Sequence, residues 1–125
     1  MPNETTVLCR ITLLFGCLLG AFGVMLAAAA NHTADTGLLA NASAMALAHA
    51  PVLIAIAIGW HRLATARFAS IAMMLGTLLF IGDLLCRHFA GHGLFPMAAP
   101  AGGIAMMGSW IILAFSAIMK VKKSA

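Results

Sequence analysis

Charge is what this sequence has least of. Only 8% of its 125 residues are Asp, Glu, Lys or Arg, whereas 63% are hydrophobic and the mean hydropathy is +1.06. Soluble domains carry about a quarter charged residues, so this chain is unable to cover a globular surface with polar groups. Its solvent is lipid. The net charge of +4 rests on seven Lys and Arg with no basic stripe interleaved with aromatics, which excludes nucleic acid as a partner. Cysteine is scarce too: Cys9, Cys17 and Cys86 show neither metal-ligand nor paired spacing. Cys9 and Cys17 lie about 12 Å apart along a helix, too far for a disulfide, and read as small packing residues. Cys86 falls near a membrane surface. The sequence also lacks a nucleophile triad, a phosphate-binding loop and a C-x-x-C-H haem-attachment site.

What is present is long apolar runs. Four stretches approach the roughly 20 apolar residues that a bilayer crossing needs. They run from about Ile11 to Ala30, Ala42 to Trp60, Phe68 to about Cys86, and Ala101 to about Met119. The runs are rich in Ala, Leu and Met and lack dyad alternation, which argues for helices over strands. The expected fold is all-α, a polytopic four-transmembrane-helix bundle forming a single membrane domain over residues 1–125. The first run, at about 20 residues, exceeds the 7–15-residue core of a signal peptide, so it reads as a permanent helix. Asn-x-Ser/Thr sites at Asn3, Asn31 and Asn41 carry little weight on their own.

The loops suggest an orientation. Arg10 precedes span one, Arg62 and Arg67 lie between spans two and three, and Lys120, Lys122 and Lys123 follow span four. All fall on one side of a four-span chain, with both termini. The loop after span one carries Asp35 and no Lys or Arg; Arg87 is a minor exception on that side. By the positive-inside rule both termini are cytoplasmic and the protein is multi-pass in a bacterial inner membrane.

Lipid gives helices no hydrophobic drive to associate, so small residues at helical spacing mark the seams. Span one offers Gly16, Gly20 and Gly23. Span three offers Ala69, Ala72 and Gly76, and span four Gly102, Ala105, Ser109 and Ser116. Gly102 and Gly103, after the backbone-restricting Pro96 and Pro100, are expected to let span four approach a neighbour. His49 and Trp110 are polar groups that prefer the bundle interior.

The stretch FIGDLLCRHFAGHG, residues 80–93, concentrates the polar chemistry. Asp83 and Arg87 are an i,i+4 pair with the acid N-terminal to the base, the favourable order. One reading is an interfacial ion pair that lets the helix end in the headgroup region. An Asp at a helix centre costs about 2.5–3.5 kcal/mol on insertion scales, and much less near the end. The other reading adds His49, at a similar depth on span two. An outward-facing His49, Asp83 and Arg87 cluster would relay protons or anchor a polar head such as a quinone ring. Alternatively, His49 is a core histidine bonded to a backbone carbonyl one helix away. His88 and His92 have i,i+4 spacing, but Gly91 and Gly93 end the helix and no third metal ligand is evident. A haem between His49 and His88 would need matching depth and room.

GAFG at 20–23, His49, GTLLFIGDLL at 76–85 and PAGGIAMMGSW at 100–110 follow one another in an order that covers nearly the whole chain. Together they resemble domain of unknown function 423, a group of small bacterial inner-membrane proteins to which mitochondrial transmembrane protein 256 is related. The Gly and Pro scaffold of that group is kept, while most of its polar positions differ here. The resemblance implies a four-helix fold and an inner-membrane location, and implies no reaction.

The sequence therefore leads us to expect no enzyme, no cofactor and no bound metal. The expected role is an accessory or packing subunit, assembling with itself or with a larger membrane complex. The rival is a small oligomeric transporter or quinone-like ligand-binding protein that uses His49, Asp83 and Arg87.

Overall fold

The computed structural model describes residues 3–34 and 36–121. Four helices fill almost all of it: α1 (Glu4–His32), α2 (Leu38–Ile58), α3 (Ala66–Ala90) and α4 (Ala98–Phe115). Each is long and apolar enough to cross a membrane. The orientation residues Asp35, Lys122 and Lys123 lie outside the described residues.

The helix ends differ from the apolar runs because capping, and not hydropathy alone, sets them. α1 starts at Glu4, well before Ile11, because the Asn3 side chain accepts the Thr6 N–H at 2.8 Å. Its 29 residues are about 43 Å long, so its polar first turns extend past a hydrocarbon core of roughly 30 Å. α3 continues past Cys86 to Ala90 and stops at Gly91, whose φ of 79° is the left-handed conformation that closes a helix. α4 follows Met97, which has a φ of 70°, and carries Pro100 in its first turn, where no N–H is required. It ends at Phe115, short of Met119, and a turn over 116–118 follows.

Neighbouring helices pack along their small residues. A Cβ placed on Gly16 would meet Leu53 and Ile54 at 3.1 Å, and one on Gly23 would meet Leu47 at 2.9 Å, so α1 lies close against α2. At that seam the Ser43 hydroxyl donates to the Gly23 carbonyl at 2.7 Å, and the Cys9 thiol donates to the Ala57 carbonyl at 3.3 Å. Cys17 is exposed. Gly20 is looser, 3.5 Å from the Ala50 methyl. The α3–α4 seam is tighter still. A Cβ on Gly76 would come within 2.8 Å of the Met106 nitrogen, and one on Gly102 within 2.6 Å of the Phe80 nitrogen. These would be collisions with backbone, so the crossing admits only glycine at either position.

The interior runs from α1 through α2 to α3 and includes Leu39, Leu53, Ile56, Ala69 and Met73, all essentially inaccessible. α4 stands on the outer flank of α3. No Cα of α4 lies within 8 Å of one in α1 or α2. One expectation about packing is refined. Gly103 makes no close approach, since a Cβ there would have nothing within 4 Å. It is turned away from α3 because one residue along a helix is a rotation of about 100°.

Candidate functional site

Asp83 sits near the end of α3 with no exposed surface. One carboxylate oxygen accepts from the Arg87 Nε at 2.7 Å, one turn on, and the other accepts the Leu94 backbone N–H at 2.8 Å. The ion pair is thus also a loop clamp. It fastens the α3–α4 connection to the helix it has just left. The Arg87 side chain is 46% exposed and reaches outward while its partner stays inside. Gly93 completes the arrangement, because a Cβ there would stand 2.6 Å from Asp83 Oδ1 and 2.9 Å from an Arg87 nitrogen. The local pair was legible from spacing. The roles of Leu94 and Gly93 were not, and the only signal for Gly93 was its position beside another glycine-terminated helix end.

His49 takes other partners. Its Nδ1 lies 2.8 Å from the Met45 carbonyl, one turn back on its own helix, and its Nε2 lies 3.1 Å from the Trp110 indole nitrogen. A carbonyl only accepts and an indole N–H only donates, so Nδ1 carries the proton and Nε2 is the acceptor. The rings meet edge to face, with centroids 5.9 Å apart. The carbonyl belongs to α2 itself and not to a neighbouring helix. The link across helices is made instead by Trp110, spanning α2 and α4 where their backbones do not approach. The structure thus joins Asp83 to Arg87 and His49 to Trp110, and both ring nitrogens of His49 are engaged outside the Asp83 pair.

A third clip lies at the opposite end of α4. The Thr65 hydroxyl, at the start of α3, donates to the Ile112 carbonyl at 2.7 Å and lies 2.6 Å from the Ser116 hydroxyl. The Thr65 N–H also donates to that hydroxyl at 3.1 Å. Sequence reasoning placed Ser116 on a seam and missed Thr65, whose position within "ATAR" (64–67) offers no periodic signal. Elsewhere, the His88 ring packs on Phe89, and the His92 Nδ1 lies 2.9 Å from the Gly93 carbonyl and 3.9 Å from the Cys86 sulfur. No group of three or more His, Cys, Asp or Glu poised to hold a metal ion occurs among the described residues.

Beside the His49–Trp110 pair is an open groove of about 280 Å³, lined by Met45, Phe80, Gly103, Met106 and Met107. Its walls are apolar apart from the two rings. Asp83 and Arg87 are not part of it.

Residues 19–103 match the family described as "Protein of unknown function (DUF423)". The chain belongs to this family. Among relatives of this DUF423 chain is the UPF0382 inner membrane protein YgdD of Escherichia coli strain K12. The two are 25% identical over 107 residues, 84% of this chain and 82% of the relative. The proteins of the same name from Escherichia coli O157:H7 and Shigella flexneri match to the same extent. No solved structure matches. With four membrane-crossing helices and inner-membrane relatives, the chain is a multi-pass inner-membrane protein. The family match ends at Gly103, so it includes His49, the Asp83–Arg87 pair and the Gly76–Gly102 crossing, and stops short of Trp110.

Proposed function

We propose that the chain is a non-catalytic accessory or packing subunit of a membrane assembly, associating with copies of itself or with a larger complex. The observation that carries this reading is the state of its interior polar groups. Every buried side-chain nitrogen and oxygen among the described residues has a hydrogen-bond partner within the chain. Asp83 and His49, the two groups best suited to chemistry, each hold two partners that fix helices and loops in place. A catalytic or transporting group needs a face left open for substrate, and polar groups engaged in this way serve as glue between helices. The flank position of α4 adds support, because Ile104, Met107, Ile111 and Phe115 form an apolar face suited to lipid or to a further transmembrane helix. The cationic end, which includes Arg10, Arg62, Arg67 and Lys120, faces the cytoplasm in this reading.

Gentle extraction from native membranes, native gel separation and mass spectrometry of the band test the proposal. Co-migration with other membrane subunits, or as a defined oligomer without any bound substrate-like molecule, is expected. Migration as a lone 12.9 kDa chain would overturn it. A second reading, a ligand-binding protein, draws its support from the groove at His49. There Nε2, an acceptor, would exchange the Trp110 N–H for the hydroxyl of the reduced, quinol form of a quinone-like molecule. In that reading His49 acts with Trp110, and Asp83 and Arg87 remain structural. Lipid extracts and the visible spectrum of purified protein separate the two readings.

A further inference from the structure

The terminal end of the bundle carries a second, larger concavity, and its chemistry is unlike that of the rest of the molecule. A cleft of about 550 Å³ opens there, within the range of roughly 300–1,000 Å³ that small-molecule sites occupy. The first turn of α1, the α2–α3 connection, the first turn of α3 and the segment after α4 all contribute to it. Thr5 comes from the first turn of α1, Trp60 and His61 from the α2–α3 connection, Arg67 from the first turn of α3, and Met119 and Lys120 from the segment after α4.

The charge of this cleft is uncompensated among the described residues. Arg67 and Lys120 are both exposed, and the only ion pair among the described residues is the distant one between Asp83 and Arg87. No carboxylate lines the cleft among the described residues. Glu4 precedes Thr5 at its rim and pairs with neither cation. The whole sequence holds three Asp and Glu against seven Lys and Arg, so the chain has few carboxylates with which to neutralise this end. Apart from Thr5, His61 and the two cations, the residues that line the cleft are apolar. Trp60, 5% exposed, and the half-exposed Met119 both line it. Cations that share a cleft with aromatic and aliphatic side chains, at the point where four membrane helices end, match an amphiphile with an anionic head.

We propose that this cleft holds the phosphate headgroup of an anionic phospholipid, with Arg67 and Lys120 on the phosphate and Trp60 and Met119 beside the glycerol. The site is separate from the His49 groove and from the Asp83 clamp, and it stands whether or not the chain is an accessory subunit. A bound lipid would also bridge the α2–α3 connection and the segment after α4, which the Thr65–Ser116 clip already ties together.

The test is native mass spectrometry of the full-length chain in neutral detergent, titrated with dioleoyl phosphatidylglycerol, with dioleoyl phosphatidylcholine, or with inorganic phosphate. The wild type is expected to retain phosphatidylglycerol in preference to phosphatidylcholine. R67Q and K120Q should each weaken that binding about fivefold, the worth of one cation near an anionic headgroup. R62Q, a cation of the same connection that does not line the cleft, should change it less than twofold. Both tested side chains are exposed, and far-UV circular dichroism of each single variant verifies folding. Equal loss in R62Q would mean diffuse surface charge and overturn the proposal. So would equal retention of phosphatidylcholine, or displacement of the lipid by millimolar phosphate.

Discussion

Replacing Arg87 by Gln removes the cation and leaves the Asp83 carboxylate inside the protein with one remaining partner, the Leu94 N–H at 2.8 Å. Breaking a buried ion pair by deleting one member costs about 3–5 kcal/mol, because the charge left behind has lost its water as well as its partner. Arg87 is 46% exposed, however, so part of its attraction is already screened, and the cost falls to the lower end of that range or just below it, roughly 2–3 kcal/mol. Asp83→Asn is a gentler change. Its amide oxygen still accepts from Leu94, and the half-exposed guanidinium turns to water, so the loss is about 1–2 kcal/mol, a charge-assisted hydrogen bond. The double variant D83N/R87Q then carries no buried charge and should be more stable than R87Q alone by about 1 kcal/mol, a coupling that additive losses forbid. Unfolding of the purified chain by graded SDS in mixed micelles, followed by far-UV circular dichroism, measures all four corners of the cycle. R87Q within about 0.5 kcal/mol of wild type, or a double variant that loses the sum of the singles, would refute the clamp.

The remaining predictions concern the seams and the clips. Gly102→Ala should destabilise the chain by more than the roughly 1–3 kcal/mol of ordinary overpacking, since its Cβ meets the Phe80 nitrogen at 2.6 Å, whereas Gly103→Ala should be within about 0.5 kcal/mol of wild type. The same SDS titration compares the two, and equal losses would mean that α4 is rotated from the position described. Trp110→Phe keeps the ring and removes the donor to His49, so a loss near 0.6–1.7 kcal/mol is expected, the range measured for hydrogen bonds between membrane helices. A neutral result would show the bond to be replaceable. Gly93→Ala should mimic loss of the Asp83 clamp, because the new methyl falls 2.6 Å from Oδ1, and its effect should largely vanish in a D83A background. Persistence of the full effect there would locate its cause elsewhere in the loop.

Much of this molecule is fixed by neighbours in sequence. Four helices follow from the length and apolarity of four runs, because a backbone in lipid must satisfy its own hydrogen bonds. The Asp83–Arg87 pair follows from i,i+4 geometry, which any helix provides wherever it packs. The glycine seams of α1 and of the α3–α4 crossing were likewise visible as spacing, and Gly16, Gly23, Gly76 and Gly102 all sit where a side chain would collide.

The rest depends on how each helix is turned about its axis, and the sequence carries only weak information on that. One residue changes direction by about 100°, so adjacent glycines meet different fates: Gly102 lies against the α3 backbone and Gly103 faces an open groove. The same rotation chooses the partner of His49. Depth along the membrane was enough to put the imidazole near the level of Asp83, but depth says nothing of azimuth, and the packed helices deliver Trp110 of α4 instead. Leu94 and Thr65 find their partners only once a loop or a helix end has been folded back. Local sequence determined which elements form and which pairs lie within a turn; the rotation and order of the packed helices decided which polar groups meet across them.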